Sequence, residues 1–495
     1  MRSFYLALLL FIVSFLLYSS MISKGPVTVD CLSLVLQVEK IFATHQFTYL
    51  YGSGYPAMVV LGFIFTAIGR AVGFNDSVVV LNLIGVLSGA LSITIFFLLM
   101  RRLCDRITAI LAALLLTLNP IFIDISTYGI SHGPCVCFML LGFFFLAVFF
   151  KEGGSFRFFI SGIFFGLMGA TRVQDLVLML PFIAMMTFLA LNRIPLRKRV
   201  KTAFLFFGLI GIIVLLFHAI YFMGQNGYDV QLKVFLHTGL IENFKGFLLA
   251  SVKRSYLYIT QDFSYTGTAC YLAGILYLIG SDKKILLFSV LWWLIPLGFY
   301  GNLLMMCPRY YAFLLPAFII PIAVLLGALV KHKSLMLRIG AYISIVMIIL
   351  GPLSDTLGTF MRRHEHALLP EYYEWIGNTV EPNAGIIGCD DGLFIQRYTK
   401  REFLEKPASF GHINRESLTV FKKNVDAYLD NGRPVYITDM LGLFPYDKYG
   451  EFRQFMLSNY QLTTVARGDL EDWFSTPFWI EVYESSIIKV EKMVR

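Results

Sequence analysis

The chain has 495 residues, of which 57% are hydrophobic and only 15% charged. Soluble globular domains sit nearer about 45–50% apolar and about 25% charged, so a secreted, cytosolic or disordered protein is excluded. The surplus apolar surface must face lipid. Charge is unevenly placed: residues 1–354 carry 25 Lys+Arg against 11 Asp+Glu, a net +14, whereas residues 355–495 are net −5. The pattern predicts a membrane domain over 1–354, with a large first outer loop at 23–76, and a soluble domain over 355–495. The basic residues lie between hydrophobic segments, which is the positive-inside signature and not a nucleic-acid surface. Seven cysteines lack any C-x-x-C; Cys135 and Cys137 form only C-x-C and read as small core residues.

A helix that crosses a bilayer needs about 20 mostly apolar residues. By that ruler the predicted spans are 4–22, 77–100, 106–123, 133–150, 156–171, 174–191, 202–222, 263–281, 285–304, 310–330 and 336–353, about eleven in all. No small-residue cleavage site precedes Ser23, so the first is a retained helix, not a signal peptide. The stretch 57–72 is apolar but short, flanked by Gly54-Tyr55-Pro56 and Gly73, and is expected to lie interfacial or re-entrant. With the N-terminus inside, the inner loops hold 16 basic residues and the longer outer loops 9. That topology puts residues 355–495 on the extracytoplasmic side. Within them helices are expected at 371–380, 418–429 and 446–460, and strands at 385–389, 434–439 and 478–483. Such alternation predicts a small layered α/β module that folds on its own.

Candidate chemistry concentrates at the outer side. Asp30 follows the first span directly, and Glu39, His45 and Tyr55 lie further along the same loop. A carboxylate at a membrane–water boundary is partly desolvated, which raises its pKa toward that of a useful general base. The alternative is that Asp30 caps the helix beginning at Cys31. The next outer loop, 119–134, offers Asp124, Tyr128 and His132, the last either a polar site residue or a packed residue at a helix start. Arg172, Arg309 and the Lys253-Arg254 pair fall near the outer ends of spans. Arginine presents a planar fork that matches phosphate oxygens, although each cation could also be an interfacial anchor. No G-x-x-x-x-G-K-[ST] occurs, which excludes a P-loop. D-x-D is also missing, Asp390-Asp391 being adjacent and far along the tail.

Several segments in order carry a resemblance. Asp30 is followed by Tyr51-Gly-Ser-Gly-Tyr-Pro56, Asn82-Leu-Ile-Gly-Val-Leu-Ser88, Arg101-Arg102, Gly169-Ala-Thr-Arg172 and Pro308-Arg-Tyr-Tyr-Ala-Phe-Leu-Leu-Pro316. Over residues 1–330 this resembles the GT-C glycosyltransferases, polytopic enzymes that use polyprenyl-phosphate sugars and include the protein O-mannosyltransferases and lipid A aminoarabinose transferases. The resemblance implies that Asp30 is the catalytic base, that Arg309 and Arg172 hold the donor phosphate, and that the soluble domain shapes acceptor access. The sequence departs from the family where a paired acidic motif is common, since Cys31 follows Asp30, and where His132 stands near a carboxylate of relatives. One Asp and one His are thin ligation for a hard cation, so a divalent metal is left open.

The expected function is transfer of a sugar from a polyprenyl-phosphate donor to a hydroxyl of a protein, glycan or lipid acceptor, with inversion. A transporter or lipid flippase should show mid-span charges and internal repeats, and the spans are almost free of charge, His218 and Asp262 lying near ends. A non-catalytic assembly subunit is the third alternative.

Overall fold

A computed structural model describes residues 2–47, 55–192, 194–222, 249–300, 308–388, 392–407, 413–438, 450–468 and 485–493. They divide into two compact units, Met1–Ile22 with Leu34–Phe360 and Ser23–Ser33 with Met361–Arg495.

The first unit is all helical: α1 (Arg2–Ser19), α2 (Val29–Thr44, which starts in the second unit), α3 (Pro56–Ala71), α4 (Ser77–Leu103), α5 (Arg106–Thr117), α6 (Pro120–Ser126), α7 (His132–Glu152), α8 (Ser155–Thr171), α9 (Val173–Ala190) and α10 (Leu196–Phe222). Then come α11 (Leu249–Ser281), α12 (Lys283–Tyr300), a 3-10 segment Pro308–Leu314, α13 (Leu315–Val330) and α14 (Leu335–Glu365). Each of the eleven expected spans coincides with helix. By length and apolarity, seven helices among the described residues can cross a membrane, or eight if the bent pair α5–α6 is one span. The helices Ser3–Ser19, Pro56–Ala71 and Ser155–Thr171 are apolar but shorter. Residues 106–123, expected to be one span, break at Leu118-Asn119 by 65°, because Pro120 cannot donate to the preceding turn.

Burial separates inner from outer helices. The apolar windows of α4 and of Arg309–Val330 are 67% and 72% buried in protein, whereas those of α10 and α14 are 17% and 22% buried. The latter expose Phe204, Ile212, Leu215, Tyr342 and Leu350, and such rows are tolerable only against lipid.

Close approach to α4 is bought with small residues. A Cβ on Gly85 would meet the Tyr128 carbonyl oxygen at 2.6 Å, and one on Gly89 would meet Ser126 Oγ at 2.4 Å. Asn82 Oδ1 accepts from Gly129 N at 2.7 Å. The Asn82-Leu-Ile-Gly motif therefore seats the backbone of residues 126–129, which leads directly to His132.

At the other end of this helix, Asp105 caps α5, accepting from Ile107 N at 3.0 Å, from Thr108 N at 3.3 Å and from Lys331 Nζ at 2.6 Å. Burial raises its carboxyl pKa, but the bonds from Lys331 and Thr108 outweigh this and set it at about 2. An unfolded aspartate titrates near ~3.9. The stabilisation is therefore complete above that pH and is lost as pH falls through about 2. Asp105→Ala is expected to cost about 1 kcal/mol, read as a lower denaturation midpoint at neutral pH.

The second unit carries α15 (Leu368–Thr379), β1 (Gly385–Gly388), β2 (Glu402–Glu405), α16 (Arg415–Asp430), β3 (Val435–Thr438), α17 (Glu451–Asn459), β4 (Tyr460–Gly468) and β5 (Ser485–Lys492). The sheet order is β2-β1-β3-β5-β4, with β1 parallel to β2 and β3 and the other pairs antiparallel. Phe421 and Val425 of α16 pack with Ile387, Val435, Ile437, Phe452, Met456 and Val490. The start of the first loop is built into this unit: Lys24 N donates to Arg363 O at 2.9 Å, and a Cβ on Gly25 would strike Ala367 Cβ at 2.9 Å. The helices and the strands β1 and β3 fall where the sequence predicts them. The expected strand 478–483 lies outside the described residues, as do Asp390 and Asp391.

Candidate active site

Among the described residues of the first unit a buried polar cluster surrounds Arg172. This residue is a one-residue interruption between α8 and α9, extended at φ −150 and ψ 94. Its amide still closes the last turn of α8 on Met168 O (2.8 Å), and its carbonyl opens α9 on Leu176 N (3.3 Å). The side chain thus leaves a helix break with its backbone satisfied on both sides. It is 1% exposed.

Burying a guanidinium requires a counter-charge and full use of its donors. Asp175, three residues on in the first turn of α9, accepts from Arg172 Nε at 2.7 Å and is itself buried. The same Oδ2 accepts from Cys135 Sγ at 3.5 Å. A carboxylate in a first turn is further favoured by the helix dipole. Arg172 Nη1 donates to Ser131 Oγ at 3.1 Å and to the Tyr55 hydroxyl at 3.4 Å. The guanidinium lies 5.4 Å from the ring centroids of both Tyr55 and Tyr310, within cation–π range. Four segments far apart in sequence, at 55, 131–135, 172–175 and 310, therefore meet around one charge.

Tyr55 pays for its place with backbone strain. It is buried in the left-handed region at φ 42, ψ 57, directly before Pro56. A bulky residue in that region is an outlier that the surroundings must hold, and such residues gather at functional sites.

His132 opens α7 next to Ser131. It is 3% exposed, its ring is tilted against Tyr310 at 5.5 Å, and neither ring nitrogen has a hydrogen-bond partner among the described residues. A buried polar group left unmade costs about 1–3 kcal/mol. The same Tyr310 ring has the Arg172 guanidinium 5.4 Å from its centroid. Arg309 begins beside Tyr310 in the 3-10 segment Pro308–Leu314 and is half-buried.

The other expected site residues distribute as follows. Asp124 is buried on α6 and accepts from the Tyr128 hydroxyl at 3.2 Å. Glu39 lies half-buried on α2. The Tyr51–Gly54 part of the loop motif, and the side chains of Lys253 and Arg254, are outside what is described. Asp262 is buried and ties α11 to the start of α6, accepting from Asn119 Nδ2 at 2.6 Å and from Ile121 N at 3.3 Å. Among the described residues no three His, Cys, Asp or Glu side chains come together as a metal-ligand set.

Asp30 belongs to the second unit and is 7% exposed. The alternative that it caps a helix starting at Cys31 is corrected. The helix α2 starts at Val29, Leu32 N donates to Thr28 O at 3.2 Å, and Thr28 Oγ1 accepts from Cys31 N at 3.4 Å. Thr28 is the cap, and Asp30 stands inside the first turn.

Residues 56–221 match the Dolichyl-phosphate-mannose-protein mannosyltransferase family. Curated protein sequences give no match. Among solved structures, ArnT from Cupriavidus metallidurans in the apo state is similar with a TM-score of 0.59 at 13% identity, covering 98% of this chain and 97% of that one. The same protein bound to undecaprenyl phosphate gives 0.57 at 14%, covering 99% and 97%. The archaeal oligosaccharyltransferase AglB from Archaeoglobus fulgidus, in complex with an inhibitory peptide and a dolichol-phosphate, gives 0.59 at 13%, covering 93% and 73%. The chain shares the fold of ArnT and AglB and is a multi-pass integral membrane protein.

Proposed function

We propose that this chain is a membrane glycosyltransferase that takes a sugar from a polyprenyl-phosphate donor and passes it to a hydroxyl acceptor on the extracytoplasmic side. The observation that carries this is the buried Arg172 cluster, of which Ser131, Cys135, Arg172 and Asp175 lie within the stretch matched to the mannosyltransferase family. The likeness of fold to ArnT, solved with undecaprenyl phosphate, supports the same donor chemistry.

In the proposed reaction Asp30 takes the proton of the acceptor hydroxyl as that oxygen attacks the anomeric carbon. The bond from that carbon to the phosphate oxygen breaks, and the polyprenyl phosphate leaves with the electron pair. One displacement inverts the anomeric centre and needs no second carboxylate as nucleophile. Arg309 and Arg172, with Lys253 and Arg254, stabilise charge on the leaving phosphate. Arg172 already spends its Nε on Asp175, so Arg309 is assigned the larger direct share. Glu39 and Asp124 are assigned secondary roles. The soluble domain, 355–495, is proposed to shape acceptor access from the extracytoplasmic side.

The function is tested by release of polyprenyl phosphate from a labelled lipid-linked sugar by the purified protein. For the site, a charge-assisted hydrogen bond is worth about 1.5–3 kcal/mol. Arg309→Ala is therefore expected to weaken donor binding about ten- to a hundredfold, with Arg309→Lys recovering part, since lysine lacks the fork. Unchanged affinity in Arg309→Ala would remove it from the site. For orientation, thiol labelling at cysteines placed at Ser23 and Asn192 should come from opposite sides of the membrane, and labelling from one side would overturn the topology.

A further inference from the structure

We propose that His132 is a direct ligand of the donor's phosphate, donating a hydrogen bond from its ring to a non-bridging phosphate oxygen. This rests on the function proposed above and adds a residue to its site.

Three observations converge on the ring. It is almost fully buried, yet neither nitrogen has a hydrogen-bond partner among the described residues. Imidazole always carries at least one N–H, and buried donors are normally satisfied, so a partner from outside the described residues is called for. The ring also stands at the first residue of α7, a helix of 21 residues, where unpaired backbone amides and the dipole favour an anion. Finally, Tyr310, against which the ring packs at 5.5 Å, has the Arg172 guanidinium 5.4 Å from its own ring centroid and directly follows Arg309. The nearby carboxylate, Asp175, is engaged by Arg172 and Cys135. A group that must accept from His132 in such surroundings is best matched by an anionic oxygen, and a phosphate supplies several.

Packing against Tyr310 is the competing role, and two substitutions rank in opposite order under the two roles. His132→Phe keeps a ring against Tyr310 and removes the donor. His132→Gln keeps an N–H and loses the ring. Binding to the full-length protein in detergent is measured with undecaprenyl phosphate, and separately with inorganic phosphate to show whether the lipid is required. We expect His132→Phe to lose at least tenfold in affinity for undecaprenyl phosphate and His132→Gln to stay within about threefold of the parent. A second pair, His132→Leu and His132→Asn, makes the same comparison with smaller side chains. His132→Phe binding as well as the parent would overturn the assignment while leaving the proposed function intact. A parent protein that binds no polyprenyl phosphate would overturn both.

Discussion

Asp30→Asn is expected to lower turnover about 10²–10⁴-fold, the range that general-base catalysis typically contributes. Donor binding and the yield of folded protein should stay near the parent's. Asparagine keeps the shape of the side chain and most of its hydrogen bonding but cannot take the acceptor's proton. The local structure makes the substitution clean. Thr28 caps α2, and its Oγ1 and carbonyl already hold the amides of Cys31 and Leu32. Asp30 is therefore not needed to start the helix. Turnover assays on monodisperse protein check this, with Glu39→Gln beside it, where a smaller loss is expected. Full activity in Asp30→Asn would remove the base from this position.

The second large effect concerns stability. Asp175→Ala leaves the Arg172 guanidinium buried without its counter-charge, and breaking a buried pair by removing one partner costs about 3–5 kcal/mol. Thermal unfolding in detergent or lipid should show a marked fall for this variant. The double change Arg172→Met with Asp175→Ala should recover much of the loss, because it leaves no orphaned charge, while donor binding stays impaired. If the two single losses simply added, the ion pair would not be the coupling between them. A stable Asp175→Ala protein would contradict the burial and pairing seen at α9.

Much of the fold was legible because lipid imposes a simple rule. Among the described residues every expected span falls on helix, since an apolar run of that length has few other ways to satisfy its backbone, although seven or eight and not eleven are long and apolar enough to cross. Two things escaped. The break at Leu118-Asn119 was missed because hydropathy runs on unbroken through Pro120, which sets the bend. In the second unit β2 is only four residues, β4 alternates poorly, being mostly exposed along its length, and β5 at Ser485–Lys492 lies beyond the last expected strand.

The candidate site was legible in part. Arg172, His132 and Tyr55 were each singled out by residue type and position, but nothing local says that they meet. Asp175 and Ser131 were overlooked. An Arg followed by Asp three residues later at a helix start was the available signal for Asp175. The pair is surrounded by Tyr55 and Tyr310 at Arg172 and by Cys135 at Asp175, and these come from distant segments that only the packed helices bring together. The capping of α2 failed for a smaller reason: Thr28 and Asp30 are both good caps by type, and the helix starts two residues earlier than a cap at Asp30 would allow.

The most direct measurement follows the fate of the lipid-linked sugar itself. Purified protein is incubated with a polyprenyl-phosphate sugar labelled in the sugar, together with a hydroxyl acceptor, and both products are quantified. Polyprenyl phosphate should appear in step with labelled acceptor, one for one, and the new glycosidic bond should have the anomeric configuration opposite to the donor's. No release of polyprenyl phosphate by folded protein that binds the lipid would contradict the proposed transfer, and retention of configuration would contradict the single displacement assigned to Asp30.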